Sequence, residues 1–172
     1  MYEYRFFNTI STKAADIYDN KGDKIGKVEK YYKHLWERVV DMLLKGRFSG
    51  NYRLYDRNNN EQMNSYKSLN IFKKRQYTVE YKTDHVNKTI KLVDEKSFGI
   101  GEITSFTLNE EKFILKKDVM DKAQISKDDS VIAEWESSIK VPFKAYFTLK
   151  DQKYENDCLL LLGLFHTYLH AG

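Results

Sequence analysis

His166 and His170 stand four residues apart near the end of the chain, the spacing that puts two imidazoles on one face of a helix, within reach of a shared metal ion. No third ligand accompanies them, and no glutamate stands where an H-E-x-x-H motif needs its general base. The pair therefore reads as two side chains at a helix C-terminus, where the dipole favours a cationic imidazole. Asp19-Asn20-Lys21-Gly22-Asp23 looks like the start of a calcium loop, but Lys30, Tyr31 and Lys33 occupy the region of the closing bidentate acid, which leaves a plain turn. Gly99-Ile100-Gly101 lacks the third glycine of a dinucleotide loop, Thr104 standing in its place, and opens a strand rather than a helix. Cys158, the single cysteine, lies within an apolar run and is shielded from acting as a nucleophile. These residues imply no catalytic site, no metal and no cofactor, and hence a binding protein rather than an enzyme.

Two stretches pair apolar side chains with charge. Ile71-Phe72-Lys73-Lys74-Arg75 combines two insertable side chains with three cations, the chemistry that meets an anionic lipid headgroup layer. Its competing reading is a strand edge with a solvated basic turn. Between His34 and Lys45 the apolar residues Leu35, Trp36, Val39, Val40, Met42, Leu43 and Leu44 fall on one side of a helical wheel. Glu37, Arg38, Asp41 and Lys45 fall on the other, with Gly46 placed to end the helix. Such an apolar face is ordinarily core or a barrel cap. In the minority case it docks a protein partner through Trp36, Val40 and Leu43, or touches a membrane.

The elements that position these stretches follow from composition and period. The chain of 172 residues is 41% hydrophobic with 13 Tyr and 10 Phe, a bias toward sheets, and its length suits one domain spanning 1–172. Strand-like runs separated by polar turns recur from Glu3 to Leu149, among them Ile25–Tyr32, Asn51–Tyr55, Gln62–Tyr66, Gln76–Tyr81, Lys88–Val93, Ser97–Phe106 and Phe143–Leu149. From Asp157 to His170 the pattern changes: Cys158-Leu159-Leu160-Leu161-Leu162-Gly163-Leu164-Phe165 is apolar without a break, too short to span a bilayer and too apolar to face water. Two packed sheets leave no room for such a helix, whereas a closed antiparallel barrel of about twelve strands does. A weak repeat supports a meander, since Tyr18-Asp19 leads to Ile25-Gly26-Lys27-Val28 much as Val93-Asp94 leads to Gly99-Ile100-Gly101, with Tyr55-Asp56 showing the first half.

The Tyr18 to Val28 run, its echo at Val93, the dozen strands and the apolar helix together resemble the tubby C-terminal-like superfamily, which includes LURP-one-related proteins and phospholipid scramblases; the chain looks like a small bacterial-type member. The resemblance implies a mainly β fold with α: a twelve-stranded barrel enclosing its C-terminal helix, with the amphipathic helix near 34–45 as an addition. It also implies association with phosphoinositides or membranes, although no stretch matches the lipid or calcium residues of those families closely enough to carry them over.

A net charge of +4, with cations interspersed among acids, and the lack of any zinc-finger or RNA-binding signature argue against nucleic acid. The N-terminus lacks a secretory signal and the lone cysteine suits a reducing compartment, so the expected location is cytoplasmic, peripheral at the inner face of the membrane if lipid is bound. The expectation is thus a non-catalytic module for an anionic membrane surface at Ile71–Arg75. A protein-interaction module using the Trp36 helix is the alternative, and a small-ligand carrier or enzyme the second.

Overall fold

The computed structural model describes residues 1–5, 10–46, 48, 50–67, 76–82, 87–95, 102–117, 122–138 and 141–170. Twelve antiparallel strands follow one another round a closed barrel, each bonded to its sequence neighbours, and the first, β1 (Tyr2–Arg5), pairs with the last, β12 (Lys144–Leu149), through Tyr2 opposite Phe147 and Tyr4 opposite Ala145. Between them run β2 (Ala15–Asp19), β3 (Lys24–Lys30), β4 (Tyr52–Asp56), β5 (Glu61–Lys67), β6 (Gln76–Lys82) and β7 (Asn87–Glu95). The series continues with β8 (Glu102–Leu108), β9 (Glu111–Lys117), β10 (Lys122–Lys127) and β11 (Ser130–Ser137). Closure leaves no strand edge among the described residues for another chain to pair with.

The strands alternate as a half-buried sheet requires. Tyr77, Val79 and Tyr81 of β6 point inward, as do Phe113 and Leu115 of β9 and Phe147 of β12. Into the space they line runs α2 (Cys158–His170), entered through a 3-10 turn at Gln152–Asp157. Leu160, Leu161, Leu162, Leu164 and Phe165 are all fully buried, so the apolar run that could not face water is surrounded by barrel wall on every side. Gly163 is the one small residue in that run, and the thioether of Met63 occupies the place a Cβ would take.

The two ends of the barrel differ. At one end the strands are joined by tight turns. Asn109-Glu110 and Asp128-Asp129 are two-residue hairpin loops with positive φ at both positions, the twist that matches paired strands. The repeat seen in the sequence becomes a repeated turn here: Asp19 accepts the N–H groups of Lys21 and Asp23 at 2.8 and 2.9 Å, and Asp56 accepts those of Asn58 and Asn60 at 2.8 and 2.9 Å. Gly26, in the return strand, is required because a Cβ would collide with the Tyr55 carbonyl oxygen of the adjacent strand. At the other end run the longer connections, β1 to β2, β3 to β4, β5 to β6 and β11 to β12, and there α2 finishes.

The connection from β3 to β4 contains the second helix, α1 (Leu35–Leu43). It ends in a Schellman arrangement, with the Lys45 N–H on the Met42 carbonyl at 3.2 Å and the Gly46 N–H on the Asp41 carbonyl at 2.7 Å. The left-handed residue closing the helix is Lys45, at φ 54°, with Gly46 following at φ 83°, so the glycine stands one place beyond the expected cap.

Candidate functional site

The orientation of α1 reverses the expectation that its apolar face is core. Glu37 and Asp41 are the buried positions of the helix, while Leu35 is 85% exposed, Leu43 77% and Trp36 53%, with Val39 and Met42 also in solvent. The cause is polar. Asp41 receives the Lys30 ammonium at 2.5 Å, the Tyr32 hydroxyl at 2.7 Å and the Phe48 N–H at 2.8 Å, so three donors draw its carboxylate against the barrel. Glu37 reaches back to accept the Lys33 N–H at 3.0 Å, closing the first turn that no side chain of His34 caps. Once the two acids point inward, the helical period forces the apolar side chains outward.

Burial pulls the Lys30 ammonium below its ordinary range, while the charge and hydrogen bond of Asp41 oppose that shift. The hydroxyl of Tyr32 is pushed up by burial first and then by Asp41. The resulting latch is charged, dry and local to the root of α1.

The exposed surface has a consistent composition. Trp36 is held in place by its ring neighbours, stacked on His34 at 6.2 Å and edge-on to Phe48 at 5.9 Å. A cleft of 420 Å³ opens beside the first turn of the helix, lined in part by Lys33, His34, Arg38, Tyr31 and Tyr32. Cations therefore flank the apolar face, and the helix's own acids are withdrawn from it. Val141 and Phe143, in the β11 to β12 connection, are exposed at the same end of the barrel. Neither stood out in the sequence; the signal available was an apolar Val-Pro-Phe triplet where other turns carry Asp and Asn.

Trp36 and Leu43 thus lie on an accessible surface as a docking role requires, while Val40 is half-buried at its margin. Ile71, Phe72, Lys73, Lys74 and Arg75 lie outside the described residues, as do Gly99 and Gly101. The residues that bracket the former segment, Lys67 and Gln76, are at the rim from which α1 departs.

The histidine expectation is corrected. His166 is not a cationic helix-end residue: its ring packs edge-on against Tyr52 at 4.7 Å and its Nδ1 lies 3.2 Å from the Tyr4 hydroxyl, which also accepts the Trp135 indole N–H at 2.9 Å. Burial lowers its pKa to about 3, so the imidazole is neutral. His166 is half-buried, and the helix dipole is outweighed because the Tyr4 and Tyr52 rings packed against it take away much of the water that a cation needs. Cys158 is buried as expected, and burial pushes its thiol up. Asp19 serves the turn that the sequence suggested. Among the described residues no group of three or more potential ligands is placed to hold a metal, and no helix is long and apolar enough to cross a membrane.

Comparison with curated proteins and with solved structures gives no significant match. The sequence profile of the Tubby C-terminal like domain, in contrast, matches residues 2–171, nearly the full chain. With a closed twelve-stranded barrel, a lumen filled by its own C-terminal helix and that match, the chain belongs to the Tubby C-terminal like domain family.

Proposed function

We propose that this binding domain docks on an anionic membrane surface through the exposed face of α1. The single observation carrying the reading is the inverted helix: Leu35, Trp36, Val39, Met42 and Leu43 face solvent while Glu37 and Asp41 are turned inward. An apolar stripe flanked by cations is the pattern of a helix that lies in the headgroup layer, its apolar side in the acyl boundary and its cations against phosphates. Lys33 and Arg38, lining the cleft beside the first turn, would meet those phosphates. Ile71–Arg75, whose connection leaves and re-enters the barrel at the same rim, would add two apolar and three basic side chains. The filled lumen argues against a carrier for a small ligand, since α2 occupies the space such a ligand would need.

Vesicle co-sedimentation of the full chain tests the proposal. Binding should require phosphatidylserine in phosphatidylcholine vesicles and weaken as the screening length contracts from about 10 Å at 0.1 M salt to about 3 Å at 1 M. Trp36→Ser with Leu43→Ser should weaken it by at least about tenfold through lost apolar burial. Binding unchanged by these substitutions would remove α1 as the docking element. A protein partner is the second reading, favoured by the ordering of Trp36 between His34 and Phe48, which presents a rigid aromatic of the kind that anchors interfaces.

A further inference from the structure

The β11 to β12 connection is built from chemistry opposite to that of the tight turns. At the tight-turn end the tips are Asn58-Asn59-Asn60, Asn109-Glu110 and Asp128-Asp129, as water-facing turns ordinarily are. The β11 to β12 connection instead carries Val141-Pro142-Phe143, with Val141 81% and Phe143 48% exposed. Its base is firm. The Ser138 N–H donates to the Lys144 carbonyl at 2.7 Å, and the Lys144 ammonium pairs with Glu3 of β1 at 2.8 Å. Among the turn's described residues nothing requires apolar side chains to stand in water.

We infer that Val141 and Phe143 form a second membrane-insertion point which, together with α1, seats the barrel with its loop rim on an anionic bilayer. This rests on the membrane reading of α1. Strands β12, β1, β2 and β3 are successive neighbours, so the tip and the root of α1 are separated round the rim by about 15 Å at the usual strand spacing. Two apolar points that far apart suit a fluid bilayer better than a single groove. Charge gives the same orientation. The tight turns carry Asp19, Asp23, Asp56, Asp128 and Asp129 against Lys21, Lys24 and Arg57, whereas the loop rim exposes Arg5, Lys13, Lys33, Arg38 and Lys45 and keeps Glu37 and Asp41 inside. An anionic surface therefore attracts the rim and repels the opposite end.

The test uses the full chain and phosphatidylserine–phosphatidylcholine vesicles, with tryptophan emission and quenching by brominated acyl chains as readouts. Trp36 reports on α1 in the native protein, since Trp135 is sealed in the core. Phe143→Trp in a Trp36→Phe background reports on the tip. The expected result is a blue shift and acyl-chain quenching at both positions, with Val141→Ser and Phe143→Ser together raising the lipid needed for half-binding by about tenfold. A Trp36 response with a position-143 reporter that stays in water overturns the second insertion point and leaves the α1 reading standing. No response at either position overturns both. Self-association without vesicles that the double Ser substitution abolishes would give the rim to a second copy and overturn the bilayer as occupant. Should the double Ser variant fold poorly, the position-143 emission decides alone.

Discussion

The Asp41 carboxylate lies 2.5 Å from the Lys30 ammonium, with both side chains withdrawn from solvent, and this pair fixes which side of α1 meets the barrel. Removing one member leaves the other charged and dry, which typically costs about 3–5 kcal/mol. Asp41→Ala should therefore be strongly destabilising in urea unfolding. Lys30→Met combined with Asp41→Leu should recover a large part of that loss, because an apolar pair of similar size needs no hydration. If the double variant is as unstable as the single, the stranded charge is not the source of the cost.

The apolar residues of α1 should contribute little to folding, because they are in solvent. Trp36→Ala is expected to change stability by no more than about 1 kcal/mol, the loss of its ring contacts with His34 and Phe48. Leu161→Ala, in the filled lumen, should cost about 2–5 kcal/mol. Denaturant titrations of the two variants side by side would check the contrast, and a Trp36 variant as unstable as the Leu161 one would place α1 in the core after all.

Two glycines give a graded packing test. At Gly26 a Cβ meets a backbone carbonyl, that of Tyr55, which the strand ladder holds; at Gly163 it meets the Met63 side chain, which has rotatable bonds to move. Gly26→Ala should cost at least about 2 kcal/mol. Gly163→Ala should cost less, since the better helix propensity of alanine returns up to about 1 kcal/mol. Thermal unfolding of both variants gives the order, and a reversed order would contradict the packing described.

His166 predicts a pH dependence. In the unfolded chain an imidazole protonates near its ordinary pKa of about 6.5. In the folded protein it stays neutral down to about 3. Between those values unfolding takes up a proton, so stability is complete above about 6.5 and falls as the pH drops toward 3, by roughly 2 kcal/mol at pH 5. His166→Gln should lose this component while keeping the carboxylate contribution. Parallel stability curves for wild type and variant between pH 7 and 5 would show that His166 does not titrate on unfolding.

Much of the architecture was legible in the chain. The alternation of residues such as Tyr77, Val79 and Tyr81 is local, and so are the Asp19 and Asp56 turns, because side chain and acceptor are within four residues of each other. The apolar run after Cys158 excluded any placement but the interior. His166 was misread because its dipole environment is local, whereas the desolvation that neutralises it comes from Tyr4 and Tyr52 on distant strands.

By itself the sequence determined that residues near 34–45 form a two-faced helix and that a β barrel surrounds a C-terminal one, since both follow from period and polarity along the chain. Which face of α1 looks outward was decided only by tertiary structure. Helical period separates Asp41 from Trp36 without saying which is inside, and hydrophobicity alone puts Trp36 there. The closing of β3 against β4 places the Lys30 ammonium beneath the helix, together with the Tyr32 hydroxyl and the Phe48 N–H. A carboxylate that gains three donors at once is held inside, and the apolar face is left for whatever surface the protein meets.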